Sequence, residues 1–279
     1  MAARRRILIL HNPTAGRGGT MLVDAVVRAL TAAGASVTLA APPSADAAAA
    51  LAAETDAEAV GIAGGDGTLR AIAPALAGSG VGFAILPTGT GNILALETRA
   101  PRRAEAIAHT LLTGVAAPIP WGRANDAPFL VVAGVGLAGA AAHHAAAWKA
   151  PLGRAAYWAG IARAAIEGAR LEVEVDGARH AAEWALVTAA RLRPRRLAPQ
   201  LTLALFSGGP ALRPLQLAAV AASRLGAAPG VTLTAFSRAT ISADRPSHVS
   251  LDGEPAGATP VTFTSEAAPL LLLRPAVAA

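Results

Sequence analysis

Apolar runs of strand length recur along the first 114 residues, each separated from the next by a stretch with helical spacing. Ile7-Leu8-Ile9-Leu10 opens the series and empties into His11-Asn12-Pro13-Thr14-Ala15-Gly16-Arg17-Gly18-Gly19, a loop of turn formers. A helix follows whose apolar face is Leu22, Val26 and Leu30, stopped by Gly34. Val37-Thr38-Leu39 is a second strand, and Ser44 starts an Ala-rich helix that runs to about Glu54. Ala59 to Ala63 is the third strand. It stops at Gly64-Gly65, turns through Asp66 and Gly67, and restarts at Thr68 as a helix ending near Gly78. Val81 to Leu86 is the fourth strand and empties into Pro87-Thr88-Gly89-Thr90-Gly91-Asn92; Pro101 begins another helix, closed by Gly114.

This alternation has βαβ spacing and predicts a parallel sheet covered on both faces. Ligands of such sheets bind beyond the carboxyl ends of the strands. All three glycine loops leave strands at that end, so they can converge on one ligand. Glycine lets a ligand approach the backbone closely, and successive bare N–H groups make an anion-binding concavity.

The pattern changes near Pro118-Ile119-Pro120. Phe129 to Ala133 reads as a strand, Gly134-Val135-Gly136 turns into an Ala-rich helical region, and residues 154–168 read as a helix. Arg170 to Val175 alternates charged and apolar residues, and Asp176-Gly177 is a hairpin signal before the strand Trp184 to Thr188. Short strands are expected at 201–206, 231–236, 239–242, 248–251, 261–264 and 270–273, with one helix over 213–224. Many short strands between turn signals predict an antiparallel sandwich. The expected plan is therefore α/β plus β: a doubly wound parallel-sheet domain over residues 1–119, then a β-sandwich domain over 120–279.

Composition narrows the function less than the loops do. The chain of 279 residues is 53% hydrophobic, enough for two cores. No stretch reaches the roughly 18 uninterrupted apolar residues of a membrane span, and no signal-peptide pattern follows Met1-Ala2-Ala3-Arg4-Arg5-Arg6, so a cytoplasmic protein is expected. The absence of cysteine excludes disulfides and thiolate metal sites. The net charge of +6 is carried by arginine, Lys149 being the only lysine. Such a charge suits phosphate ligands, nucleic acid or an anionic bilayer. Aromatics are 4%, too sparse for base-stacking platforms, so no nucleic-acid partner is expected.

Four pieces in order, Asn12-Pro13-Thr14-Ala15-Gly16, Gly64-Gly65-Asp66-Gly67-Thr68, Pro87-Thr88-Gly89-Thr90-Gly91-Asn92 and Asp252-Gly253-Glu254, resemble the diacylglycerol kinase catalytic-domain family. That family includes bacterial lipid kinases and sphingosine kinases. The run Leu152-Gly153-Arg154-Ala155-Ala156-Tyr157 also looks like its linker helix. The resemblance implies a lipid kinase using ATP and Mg²⁺, with the nucleotide in a cleft between the two domains. It implies Asp66 as organiser of Mg²⁺ and the γ-phosphate, Asp252 as general base and Glu254 as a second metal or nucleotide carboxylate. Asn12, Thr14, Gly16, Arg17, Gly64, Gly65, Gly67, Thr68, Gly89, Thr90 and Asn92 would line the nucleotide. It further implies a lipid acceptor met at an anionic membrane surface, peripheral to the inner membrane face, with homodimerisation left open.

Other readings stand beside these. Asp252-Gly253 alone is an ordinary hairpin signal. His11 reads as a packing or capping residue, and His143 and His144 as surface or lipid-facing residues and not metal ligands. Arg191, Arg193, Arg195 and Arg196 read equally as a solvated loop or a headgroup-docking cluster. The chain departs from the family pattern at Ile93, where bacterial diacylglycerol kinases place aspartate, and at Arg70-Ala71, which replaces a polar pair. It also departs at Leu137-Ala138-Gly139, which lacks an acidic residue, and between Pro199 and Phe206, where the segment of a structural Mg²⁺ site is missing. Two alternatives remain: an NAD kinase-like enzyme, and a non-catalytic nucleotide- or lipid-binding member of the same fold.

Overall fold

The computed structural model describes residues 3–12, 19–146, 155–164, 169–188, 200–222 and 224–276. It divides into two compact units, one formed by Met1–Ile119 together with Ala268–Ala279, the other by Pro120–Ala267.

The first unit is built on β1 (Arg6–His11), β2 (Ser36–Ala40), β3 (Ala59–Gly64) and β4 (Gly82–Pro87), joined by α1 (Gly19–Ala32), α2 (Ala45–Ala53) and α3 (Asp66–Ile72). α4 (Ile93–Thr98), α5 (Ala104–Thr113) and β5 (Val115–Ile119) follow. β2, β1, β3 and β4 pair in that order and all run parallel. Ile7 and Ile9 pack with Val23, Val26 and Leu30 of α1 and with Ile107 and Leu111 of α5. Strand alternation turns Leu8 and Leu10 to the opposite face, where α2 and α3 lie against each other. The runs of β1, β3 and β4 are buried on both faces, which is why they read as continuous and not as alternating, while β2 is a partly exposed edge strand. Ser44 caps α2 as expected, its Oγ accepting the Ala47 N–H at 3.1 Å. Neither α4 nor β5 was expected from the sequence.

The second unit contains β6 (Gly122–Ala124), β7 (Ala127–Phe129), β8 (Val132–Val135), α6 (Leu137–Ala146) and α7 (Ala155–Ala164). Next come β9 (Leu171–Val175), β10 (Ala178–Ala182), β11 (Trp184–Thr188), β12 (Thr202–Phe206) and α8 (Arg213–Ala221). β13 (Val231–Ala235), β14 (Arg238–Ala243), β15 (His248–Leu251), β16 (Glu254–Ala258) and β17 (Val261–Ser265) complete it. They form two antiparallel six-stranded sheets, in the orders β10-β9-β14-β17-β6-β7 and β13-β12-β11-β8-β15-β16. One apolar core joins Phe129, Val173, Ile241 and Phe263 to Val135, Val187, Leu203 and Leu251. A second cluster, Leu137 and Ala141 of α6 with Trp184, Phe206 and Leu217, covers the other face of the second sheet. There the Trp184 and Phe206 rings stack at 3.5 Å, and Trp184 Nε1 donates to buried Gln216 Oε1 at 3.1 Å. No helix among the described residues is long and apolar enough to cross a membrane.

Two expectations are corrected. Asp176-Gly177 does not lead into the Trp184 strand, because β10 intervenes and closes the hairpin with β9 in the register Val175 to Ala178. More consequential is β18 (Leu270–Arg274), expected within the sandwich. It returns to the first sheet, parallel to β4 through Leu272 and Phe83 and antiparallel to β5. Its run of four leucines, with Leu270, Leu272 and Leu273 buried, suits a central strand better than a half-solvated one.

Candidate functional site

The second and third glycine loops meet within the first unit, beside Asn12 and Gly19, which flank the first. β1 and β3 are neighbours, so Asn12 emerges beside the end of β3, its N–H donating to Ala63 O at 3.0 Å. The Asn12 amide donates to Thr68 Oγ1 at 3.1 Å, tying the first loop to the start of α3. β4 lies on the other side of β3, and Thr88 N–H donates to Gly64 O at 3.3 Å. Gly65 and Gly89 touch backbone to backbone, and a Cβ on Gly89 would overlap the Gly65 Cα. These two glycines therefore serve close approach of two chains.

The third loop is held from within and from without. Asn92, at φ +50°, accepts from Gly89 N–H at 3.2 Å and donates to Gly89 O at 2.5 Å. Asp66 reaches across from the second loop: Ile93 N–H donates to its Oδ2 at 2.9 Å and Leu94 N–H to its Oδ1 at 3.1 Å. Thr88 Oγ1 is a buried hydroxyl oxygen with no hydrogen-bond partner among the described residues. Thr90 is exposed at the tip of its loop. Thr14, Gly16 and Arg17 lie outside the described residues, as do Lys149, the start of the expected linker helix and Arg191, Arg193, Arg195 and Arg196.

Beside the first two loops lies a cavity of about 440 Å³ lined by Asn12, Pro42, Pro43, Ala48, Thr68 and Ile72, with Gly67 at its edge. Pro42 and Pro43 follow β2 and carry no motif that marks them as site residues. The signal available was positional, since they leave the carboxyl end of a parallel strand.

Asp252 and Glu254 belong to the second unit. Asp252 and Gly253, at φ +48° and +80°, are the corner between β15 and β16, with Leu251 opposite Glu254. The Asp252 side chain is 3% exposed. Leu130 N–H donates to its Oδ2 at 2.9 Å, and Val131 and Val132 N–H donate to its Oδ1 at 2.8 and 3.0 Å. Glu254 is half-buried at the start of β16. His143 and His144 are not isolated: the His143 ring stacks on that of His248 at 4.0 Å, with His144 edge-on to both.

The donor set of the first unit fits a phosphorylated ligand, with bare glycine backbone, small hydroxyls and amides around one point. The fit to Mg²⁺ is narrower. Among the described residues no group of three His, Asp or Glu side chains could hold a metal ion. Mg²⁺ does not demand one, because it keeps several waters and binds through one or two carboxylates plus substrate phosphates.

Comparison with known proteins agrees with this geometry. A crystal structure of a diacylglycerol kinase from Bacillus anthracis str. Sterne superposes with a TM-score of 0.76 at 20% identity, covering 99% of each chain. A second Bacillus anthracis structure, of a candidate diacylglycerol kinase, gives 0.74 at 20% identity over the whole of both chains. Likeness at that identity carries the fold alone. A segment of 73 residues is 34% identical to an uncharacterised protein of Synechocystis sp., a match spanning 26% of this chain and only 17% of that protein's length. The profile of the diacylglycerol kinase catalytic domain matches residues 6–124, from the start of β1 to the end of β6. Residues 6–124 thus carry the diacylglycerol kinase catalytic domain.

Proposed function

We propose that this chain is an ATP-dependent lipid kinase that transfers the γ-phosphoryl group to a hydroxyl of a diacylglycerol-like or sphingoid-like lipid. The observation that carries the reading is the meeting of Asn12 with Thr68 and of Gly65 with Gly89, which brings the entry of the first loop and the second and third loops together. Bound ATP and Mg²⁺ would supply the transferable phosphoryl group and neutralise its charge. The chain's own residues then have mainly to position and exclude water, which is most of what phosphoryl transfer asks of a protein. Backbone N–H groups of Gly65 and Gly67 would face phosphate oxygens. The flat apolar walls of Pro42, Pro43 and Ile72 suit a nucleotide base. Asp252 is the proposed proton acceptor for the lipid hydroxyl, and Glu254 a carboxylate for Mg²⁺ or the nucleotide. A lipid acceptor brings the protein to an anionic membrane surface as a peripheral visitor.

The test offers radiolabelled ATP and Mg²⁺ with diacylglycerol, monoacylglycerol, sphingosine and ceramide in separate vesicles, and with NAD in parallel. Label in a lipid is expected. Label in NADP alone would replace the reading with a nucleotide kinase. A second reading, a non-catalytic member of the fold, is favoured by the Asp252 carboxylate, which already accepts three backbone N–H groups. It predicts that ADP binds and that no lipid is labelled.

A further inference from the structure

The first N–H groups of a helix have no partner within it and need an acceptor from elsewhere. In α4 the residue placed to help locally cannot. Asn92 makes no side-chain cap bond, since its amide is closed onto Gly89. The acceptor comes from 27 residues earlier in the chain: one oxygen of Asp66 takes Ile93 N–H and the other takes Leu94 N–H. The carboxylate also sits hard against the third loop, where a Cβ on Gly91 would stand 3.0 Å from Asp66 Oδ2. Both oxygens are thus directed at the loop's exit, and the loop is held by Asn92 at its start and by Asp66 at its end.

We propose that Asp66 is a positioning residue. Its carboxylate fixes the Pro87–Asn92 loop, so that the backbone of the loop faces nucleotide phosphate, and it is not a direct Mg²⁺ ligand. The inference rests on the kinase reading for its phosphate ligand, and on the two hydrogen bonds alone for the loop. Charge-assisted bonds of this kind are worth enough that losing them loosens a short segment about tenfold. An amide at the same position keeps one acceptor oxygen and recovers part of the effect, whereas alanine keeps none.

The experiment compares wild type, Asp66→Asn and Asp66→Ala in the full chain by three readouts. These are hydrogen exchange of a peptide spanning 88–98 without nucleotide, ADP affinity by calorimetry, and the Mg²⁺ concentration that half-saturates ADP binding. Expected are about tenfold faster exchange at Ile93 and Leu94 in the alanine variant, with a matching loss of ADP affinity, and a smaller change in both for asparagine. The Mg²⁺ half-saturation is expected to stay within about twofold of wild type. Unchanged exchange over 88–98 in both variants overturns the proposal, and so does a tenfold or greater rise in the Mg²⁺ requirement. Should alanine prevent folding, the asparagine variant decides by the same readouts. Failure of the kinase reading shows separately, as wild type that labels no lipid, and leaves the exchange result decisive.

Discussion

Two Asp-Gly corners of the second unit share a construction and differ in surroundings. At Asp176-Gly177 both residues have positive φ, +47° and +89°, and the corner closes β9 onto β10. Asp176 N–H donates to Arg238 O at 3.0 Å, while its carboxylate accepts Arg238 N–H at 2.9 Å and Ser237 N–H at 3.1 Å. Asp252-Gly253 repeats these bonds and adds one: Asp252 N–H donates to Val132 O at 2.7 Å, and the carboxylate accepts from Val132, Val131 and Leu130. The first aspartate is exposed and the second is buried. The feature singled out at Asp252 as proton-accepting chemistry is, as a local object, the same latch that Asp176 provides where no chemistry is proposed. What sets Asp252 apart is burial and one more donor.

That difference should dominate the stabilities. Asp252→Asn places an NH₂ group where an acceptor faced a buried N–H and is expected to cost about 2 to 4 kcal/mol, read as a lower urea midpoint. A loss below that of Asp176→Asn would break the comparison. It follows that lipid-kinase assays of Asp252→Asn need a folding control, since lost transfer alone would not identify a base. Next in size are Gly253→Ala and Gly177→Ala, each expected to cost about 1 kcal/mol or somewhat more because alanine resists positive φ. The two should be nearly equal, because this strain belongs to the backbone and not to burial. Asp176→Asn should cost about 0.5 to 1 kcal/mol, water replacing the lost acceptor. The smallest effect is expected at Glu58, an exposed relative of the same latch whose Oε2 takes the N–H groups of Arg5 and Arg6 at 2.7 and 2.9 Å. Those bonds, that to Arg6 foremost, hold its carboxyl below the ordinary value of 4.5. Its contribution is present above that value and is lost as pH falls through the lowered one. Thermal midpoints between about pH 2 and 7 should therefore fall less steeply for Glu58→Gln at the acid end.

Strands β1, β3 and β4 were legible because they are uniform apolar runs that empty into loops of turn formers, so period and punctuation agree. The meeting of its loops was legible too, since parallel strands put their exits at one end. Hidden were the features set by partners distant in sequence. α4 has no local start signal because its cap is Asp66. β5 and β16 are short and mixed in composition, and they exist as strands only through pairing with β18 and β15. The Leu270–Arg274 run read correctly as a strand, but no local pattern says which sheet a leucine run will join. At the site, glycine and aspartate could be named in advance, whereas Pro42 and Pro43 owe their place to the ends of β1 to β3.

The return of β18 between β4 and β5 makes the whole sandwich an insertion within the first sheet. During synthesis the ribosome releases β1 to β5 some 150 residues before the strand that joins them. Until Arg274 has emerged, one flank of β4 has no partner, and a bare strand edge invites pairing with another chain. The amino-terminal unit therefore cannot finish folding first, although it is made first. Its completion is timed by the last strand of the chain.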